Sequence, residues 1–217
     1  DGAAWTLAYP RARTALLTMP TWALYNSEWD WRAFLDRSFA EIEARGVTKL
    51  IVDIRGNEGG NDCGDPIAAR LIDAPIAREG YARRTRYRQT PPRLNPYLDT
   101  WDRSFRDWGD DAIARDDGFY DLRGETEVNQ IAPRGPRFRG EVDVLIDSQI
   151  SSATLQFASC IQRNRLGRLI GQPTGGNQRG INGGAFFFLR LPASGLEADL
   201  PLIGRFPLTP RPDAGLD

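Results

Sequence analysis

The sequence predicts an α/β fold in which strands and helices alternate and crossover connections join parallel strands. Two short apolar segments, Leu50–Ile54 and the run EVDVLID at 141–147, lack the polar alternation of a half-exposed strand. Such segments are typical of strands buried on both faces of a parallel sheet. Each is followed by a turn and then by a helical pattern, which is the order of elements in a crossover connection.

The first predicted strand and helix lie near the start of the chain. Thr14–Met19 has the composition of a strand, and apolar residues then recur at helical spacing from Trp31 to Ile42. Ser27, with Asp30 three positions later, resembles a capping box, and Gly46 ends the pattern. These residues predict an amphipathic helix of about four turns.

After the second strand, the run DPIAARLI predicts another helix, with Asp65 as its N-cap and Pro66 at its first position. Residues 83–136 follow, and no core-forming period runs through this segment, which is rich in Pro, Arg, Asp and aromatic residues. An irregular segment of this length is usually a functional lid or a mobile excursion. We therefore expect a single domain over residues 1–217 that carries a lid-like insertion.

An aromatic stripe lies inside this insertion, at spacings of four, four and three positions. It forms either a helical lid that contacts substrate or a surface that packs the insertion onto the core. The residues of the stripe are Tyr97, Trp101, Phe105 and Trp108.

The C-terminal part of the chain continues the alternation. A helix is predicted at Ser152–Asn164, with Leu155, Ala158 and Ile161 on its inner face, and a short strand at Arg168–Gly171. The run GGAFFFLRLPASGLEADLPL then predicts a C-terminal β-hairpin around the turn at 192–195.

Composition excludes several classes of function. The formal net charge is −1 with a pI of about 5.7, so no basic field favours nucleic acid or an anionic membrane. No apolar run approaches the ~20 residues of a bilayer-spanning helix. The chain has no histidine, and Cys63 and Cys160 alone do not make a metal site, so we expect neither metal nor cofactor. These cysteines are either small buried apolar residues or partners in one disulfide.

The pair Ser151 and Ser152 lies where the strand at 141–147 turns into the next helix. Backbone N–H groups at a helix N-terminus are free to bind an anion. A serine there can attack a carbonyl while the N–H of the following residue, Ala153, helps to hold the oxyanion. The alternative interpretation is that Ser151 or Ser152 is only a helix N-cap.

Two glycine-rich loops accompany this junction. In DIRGNEGG, Asp53 ends a buried strand and Gly56, Gly59 and Gly60 follow, so that backbone N–H groups can turn towards a shared site. An ordinary glycine turn is the alternative. The loop GQPTGGNQRGINGG lacks the order of glycines and the Lys-Ser/Thr pair of phosphate-binding loops, so phosphate binding is poorly supported.

Taken together and in this order, LIVDIRGNEGG, VLIDSQISSATLQFA and LIGQPTGG resemble the S41 serine peptidases, the family of the C-terminal processing proteases and the tricorn protease core. The resemblance implies a crotonase/ClpP-like α/β core and a cofactor-free endopeptidase acting on a peptide or protein substrate. It also implies Ser152 as the acyl-forming nucleophile. The oxyanion donors would be the N–H of Ala153 and a glycine N–H, with Gly60 preferred to Gly59.

The general base is where this chain departs from the family pattern. Processing proteases carry a lysine at the position that here is Asn177, and Lys49 precedes a buried strand and is expected to be solvated. The tricorn-like branch uses a histidine from an N-terminal helical region, which we expect to be absent from this chain. We therefore expect a histidine base outside these residues or on another chain, and an inactive isolated chain.

Three alternatives remain open. The domain could be a catalytically dead, peptidase-like module that binds a peptide or another ligand. A carboxylate from Glu58, Asp62 or Asp65 could serve as the base, although such residues are common in solvated turns. A carboxylate-pair glycosidase has no further support. The family resemblance also implies a periplasmic or secreted bacterial protein, and a homo-oligomer is left open.

Overall fold

The computed structural model describes residues 4–124 and 130–217, which form two compact units. The first unit contains the described residues up to Glu79, those from Gln130 to Gln178, and Asp213–Asp217. The second contains Gly80–Gly124 and Arg179–Pro212. Most of the predicted insertion therefore belongs to the second unit, while the organisation as a single functional domain stays a prediction.

The described residues form short strands and three α-helices. In chain order, the elements of the first half are β1 Thr6–Arg11, β2 Thr14–Thr18, α1 Trp31–Ala44, β3 Lys49–Asp53, α2 Gly64–Ala68, β4 Ile76–Ala77, β5 Tyr81–Thr85, β6 Leu98–Asp99, β7 Ala112–Ala114 and β8 Tyr120–Leu122. Those of the second half are β9 Gln130–Ile131, β10 Glu141–Ile146, α3 Ser152–Arg163, β11 Arg168–Gly171, β12 Ile181–Asn182, β13 Phe186–Arg190, β14 Glu197–Pro201 and β15 Gly204–Pro207.

A five-stranded sheet in the order β1-β2-β3-β10-β11 forms the centre of the first unit. β2, β3, β10 and β11 are parallel, and β1 is antiparallel at one edge. Leu50 and Val52 of β3 and Val144 of β10 are fully buried, but Ile51 on the other face of β3 is only half-buried. The predicted burial on both faces is therefore confirmed for β10 and only in part for β3. The α/β class and the parallel pairing are confirmed. β4 pairs with β9 in a separate two-stranded sheet.

Helix α1 begins one residue after Asp30, whose carboxylate accepts a hydrogen bond of 2.9 Å from the Ala33 N–H. The predicted capping box with Ser27 is wrong, because the Ser27 hydroxyl accepts from the Trp29 N–H outside the helix. Gly46 follows the helix with φ of +59°, a conformation that glycine adopts without strain. The end of the helix is therefore where the sequence predicted it.

Helix α2 differs from the prediction. It begins at Gly64 after Cys63, so Asp65 is inside the first turn and not the N-cap. It also ends at Ala68, since Ala69–Leu71 continue only as turns. Helix α3 begins at Ser152 and ends at Arg163, within one residue of the prediction, and its buried face includes Leu155, Ala158 and Ile161.

The second unit consists of antiparallel strands. One sheet has the order β12-β15-β5-β8-β7, and a three-stranded sheet has the order β14-β13-β6. β13 and β14 form the predicted C-terminal hairpin, which is confirmed. The unit has its own buried apolar cluster, formed by Leu98, Ala185, Phe187, Leu202 and Ile203.

The segment 83–136 was expected to lack regular structure, and this expectation is wrong. It contains short strands and 3₁₀ turns at Pro92–Tyr97, Arg103–Arg106 and Gly109–Asp111. The aromatic stripe is not a helix, because Trp101 lies between two of these turns. Its rings still pack together, with Phe105 in edge contact with Trp101 and stacked on Trp108. The stripe therefore contributes to packing within the second unit.

Candidate active site

Ser152 lies at the first position of α3 in a strained conformation. Its φ is +48°, in the left-handed region that residues with a side chain rarely adopt. The residue is half-buried, and its hydroxyl has no hydrogen-bond partner among residues 4–124 and 130–217. A serine whose hydroxyl has no partner, on a strained turn between a strand and a helix, has the local geometry of a nucleophile elbow.

The amide of Ala153 follows Ser152 at the open end of α3. The first intrahelical bond of this end runs from the Leu155 N–H to the Ser151 carbonyl, at 3.2 Å. The preceding amides of the helix therefore have no partner within it, and they carry the positive end of the helix dipole. The Ala153 N–H is thus able to bind an oxyanion beside the Ser152 hydroxyl.

Gly59 lies directly against these two residues. A Cβ atom built on Gly59 would be 2.8 Å from the Ser152 Cβ and 3.0 Å from the Ala153 N. A side chain on Gly59 would therefore overlap the serine and its neighbouring amide. The Gly59 N–H itself is occupied, since it donates to the Asn57 Oδ1 at 3.0 Å. Gly59 therefore allows the glycine loop to approach the serine closely, and it is not a free donor.

Gly60 differs from Gly59 in its hydrogen bonding. Its φ is +135°, it forms an isolated parallel bridge with Trp22, and a side chain on it would overlap the Trp22 carbonyl. No acceptor for the Gly60 N–H occurs in the described part of the chain. The glycine loop thus has an occupied amide at Gly59 and an available one at Gly60.

The third motif, GQPTGG, packs against the turn that carries the serine. The Gly176 N–H donates to the Ile150 carbonyl at 2.8 Å, and a Cβ on Gly176 would be 3.1 Å from the Ser151 Cα. Gly175 lies against the Ser148 carbonyl in the same way. All three motifs are therefore brought together around Ser151–Ala153, and this loop supports the turn.

Four polar residues lie beneath the site, and of these the sequence had singled out only Ser151. Asn57 is fully buried, and its Nδ2 donates to the Met19 carbonyl at 2.7 Å. The buried Thr154 hydroxyl donates to the Asn57 carbonyl at 2.8 Å, and the Ser151 hydroxyl donates to the Glu58 carbonyl at 2.8 Å. The Asp147 carboxylate accepts from the Gly56 N–H at 2.9 Å. For the other three residues, the only indication in the sequence was that they lie within the motifs.

Lys49, the one lysine, lies at the opposite end of the strands. Its Nζ is 2.7 Å from Asp143 and 3.8 Å from Glu141, and it pairs in register with Glu141 at the start of β10. Lys49 is the first residue of β3, so its predicted place at the strand end is confirmed, but its side chain is paired and only 35% exposed, so the expectation that it is solvated holds only in part. Asn177, at the position of the family's lysine, donates to the Asp213 carboxylate at 2.6 Å.

The carboxylates considered as alternative bases are mostly engaged elsewhere. Asp65 forms an ion pair with Arg78, and Asp62 lies 4.0 Å from the same guanidinium. Glu58 is exposed, and its carbonyl is the group that contacts the site. At the end of β3, hydrogen bonds from Arg55 hold the pKa of Asp53 below its usual range.

Cys63 and Cys160 are both free thiols, so they form no disulfide with each other. Cys63 is fully buried, and burial raises its pKa to about 12. Burial likewise raises the pKa of Cys160. Within the described ranges, no group of His, Cys, Asp and Glu side chains could hold a metal ion, and no helix is long and apolar enough to cross a bilayer.

Here a serine at a strand–turn–helix junction lies beside a glycine loop that follows the neighbouring parallel strand. A serine at such a junction is typical of α/β enzymes that transfer acyl groups. The model of peptidase family S41 matches residues 13–184, and the chain belongs to this family. No curated protein sequence matches the chain.

Solved structures show the same fold. The photosystem II D1 C-terminal processing protease matches with a TM-score of 0.51 and 17% identity over 94% of this chain and 44% of its own. Mature CPAF matches with a TM-score of 0.57 and 16% identity over 94% and 45%. A candidate peptidase of Parabacteroides merdae ATCC 43184 matches with a TM-score of 0.52 and 18% identity over 94% and 50%. The chain spans half or less of the length of these proteins.

Proposed function

We propose that the chain is the core of a serine endopeptidase in which Ser152 forms the acyl-enzyme. The observation that carries this proposal is the close packing of Gly59 against both Ser152 and Ala153, because it brings the glycine loop up to a serine hydroxyl and its neighbouring amide at once. The Ser152 Oγ attacks the peptide carbonyl and loses its proton to a base. The C–N bond then breaks, the amine leaves with a proton, and water hydrolyses the ester.

The tetrahedral intermediate needs two donors for its oxyanion. We assign them to the Ala153 N–H, at the open end of α3, and the Gly60 N–H. The choice of Gly60 over Gly59 is supported by hydrogen bonding, since the Gly59 amide already donates to Asn57. Removing one such donor typically lowers the rate by about 10²–10³-fold.

The base in this proposal is a histidine outside these residues. The 217 residues contain no histidine, and Lys49 is paired with Asp143 at the other end of the sheet. Asn177 has no basic nitrogen and its amide already donates to Asp213. A complete site would therefore form only when another segment or chain supplies the base and the group that orients it.

The test uses the full-length protein and a fluorophosphonate probe for reactive serines. We expect covalent labelling at Ser152, and we expect Ser152→Ala to abolish both labelling and peptide cleavage. Ser148→Ala is the matched control, since Ser148 is an exposed serine on the same turn. Wild-type protein that neither labels nor cleaves would reject the peptidase function.

One observation favours a second candidate, a peptide-binding module without catalysis. The Ala153 and Gly60 amides have no acceptor among the described residues and the chain contains no histidine, which suits binding of a peptide carbonyl as well as cleavage. Full-length protein that binds an unstructured peptide equally well with Ser152 or with Ala at this position, and never cleaves it, would support this function.

We further infer a crotonase/ClpP-like relationship for the parallel sheet, a peptide or protein substrate, and an exported, periplasmic or secreted location. Membership of family S41 supports these points. An extended substrate would add to a free strand edge by backbone hydrogen bonds. Gel filtration coupled to light scattering on the full-length protein would decide whether it forms a homo-oligomer.

A further inference from the structure

We propose that Asn57, Ser151 and Thr154 are positioning residues, which fix the Gly60 and Ala153 amides relative to each other and keep the Ala153 amide free. This inference rests on the proposed function. The two amides belong to segments far apart in the sequence, one after β3 and the other at the start of α3. Their spacing therefore depends on contacts that join the two segments directly.

Two hydroxyl groups make these contacts on either side of Ser152 and Ala153. The Ser151 hydroxyl donates to the Glu58 carbonyl at 2.8 Å, across 93 positions of sequence. The Thr154 hydroxyl donates to the Asn57 carbonyl at 2.8 Å, across 97 positions, and is shared with the Ser151 carbonyl at 2.6 Å. The acceptors immediately precede Gly59, so the glycine loop is held at two adjacent carbonyls.

The direction of the Ser151 hydrogen bond has a second effect. Ser151 occupies the N-cap position of α3 with an extended backbone, yet its side chain makes no capping hydrogen bond. A capping serine would accept from the second or third amide of the helix, which here are those of Ala153 and Thr154. Because the Ser151 hydroxyl is turned towards Glu58, the Ala153 amide stays available to an oxyanion.

Asn57 has the corresponding effect on the glycine loop. Its Oδ1 accepts the Gly59 N–H at 3.0 Å, while its Nδ2 donates to Met19 at the end of β2. The side chain is fully buried, so both bonds are protected from water. Asn57 therefore turns one glycine amide inward and leaves the next one, that of Gly60, without an acceptor.

Thr154 gives the sharpest test, because valine has the same shape and lacks the hydroxyl. In the full-length protein we expect Thr154→Val to lower kcat by about 10²-fold, since a displacement of about 1 Å at a reacting group has an effect of that size. KM should stay within about twofold, because the donors act mainly on the transition state. Thr154→Ser, which restores the hydroxyl, should recover most of the loss.

Thr85→Val is the matched control, since Thr85 is also buried but its hydroxyl has no hydrogen-bond partner among the residues that the structure describes. It should leave kcat and KM unchanged. Ser151→Ala, at a half-buried position, provides a second variant if Thr154→Val fails to fold, and it should lower kcat in the same manner.

Binding of a peptide in the Ser152→Ala background separates positioning from general disruption. We expect Thr154→Val to leave this peptide affinity within about twofold. A folded Thr154→Val or Ser151→Ala variant with unchanged kcat, while Ser152→Ala abolishes cleavage, would overturn the inference. Loss of peptide affinity in proportion to the loss of rate would also overturn it. Cleavage that survives in Ser152→Ala would instead reject the proposed function itself.

Discussion

The two ends of the parallel sheet in the first unit differ in the chemistry that they carry. At the carboxyl end of β3 and β10, hydroxyls and an amide contact the glycine loop, and the carboxylates of Asp53 and Asp147 are bonded to Arg55 and to the Gly56 N–H. At the amino end, Lys49 and Arg168 surround the buried carboxylate of Asp143. Both ends are polar, but within residues 4–124 and 130–217 the Gly60 amide at the carboxyl end has no acceptor, whereas Lys49 and Arg168 at the amino end are paired.

The same strands therefore carry stabilising ion pairs at one end and the candidate active site at the other. β3 advances four residues from Lys49 to Asp53, so about 13 Å divides the lysine from the carboxyl end. The charged groups at the amino end pair with one another, whereas the amides at the carboxyl end are available to a ligand. Open sites at the carboxyl ends of parallel strands are the general rule for α/β proteins.

The largest expected effect comes from adding a methyl group where Gly59 packs against Ser152 at the carboxyl end. Gly59→Ala in the full-length protein should lower kcat/KM by about 100-fold or more, because the new methyl group would press on Ser152 and the Ala153 amide. Gly46→Ala is the control, since Gly46 also has a positive φ but nothing lies within 4 Å of a Cβ there. Steady-state cleavage of a peptide checks both, and an active Gly59→Ala variant would contradict the proposed site.

At the amino end we expect a loss of stability without a loss of rate. Asp143→Asn should lower the free energy of unfolding at pH 7 by about 2 kcal/mol, because the bonds from Lys49 and Arg168 to a charged acceptor are weakened. Urea unfolding measures this change. The kcat of the folded variant should equal that of the wild type, and a reduced kcat would show that the two ends are coupled.

The same variant has a defined pH dependence. Burial alone would raise the pKa of Asp143, but hydrogen bonds from Arg168 and Lys49 outweigh it and the pKa is lowered. A folded pKa below the unfolded value of about 3.9 adds stability above that pH, which is lost as the pH falls through the folded pKa. The difference in stability between wild type and Asp143→Asn should therefore shrink below about pH 4.

A smaller effect concerns the backbone strain at Ser152. Glycine relieves a φ of +48° and alanine does not, so Ser152→Gly should be more stable than Ser152→Ala by about 1 kcal/mol. Both variants should be inactive. Thermal and urea unfolding of the pair measure the strain, and equal stabilities would show that the turn imposes no penalty on a side chain.

The smallest effect is expected from the lysine itself. Lys49→Met should leave kcat/KM within about twofold and change stability by less than about 1 kcal/mol, because the Lys49 side chain is 35% exposed and Arg168 still pairs with Asp143. Steady-state cleavage of a peptide by the full-length protein checks this. Loss of cleavage in Lys49→Met to the level of Ser152→Ala would show that Lys49 is the base.

The sequence predicted the parallel strands and α3 closely because their signals are local. An apolar run such as that of β3 and the helical period of α3 are set by neighbouring residues alone. The antiparallel strands of the second unit were missed because they are short and mostly half-buried, and ion pairs such as Arg84 with Asp121 join distant residues. Their composition resembles that of irregular segments.

The candidate site, like the fold, was predictable where its signals are local. The motifs singled out Ser152, Ala153, Gly59 and Gly60, but not the difference in hydrogen bonding between the two glycines. That difference depends on the side chain of Asn57 and on the buried hydroxyl of Thr154, whose acceptor lies 97 positions away. A contact at such a distance leaves no period in the sequence.

The hydroxyl contacts between α3 and the glycine loop also bear on how the chain folds. They join residues separated by 93 and 97 positions, so they close a loop of about the same size as the pairing of β3 with β10. Closing a large loop costs conformational entropy, and the sheet pairing and the hydroxyl contacts share this cost. A chain in which β3 and β10 have not paired therefore lacks these contacts, and the proposed oxyanion-binding arrangement requires the folded sheet.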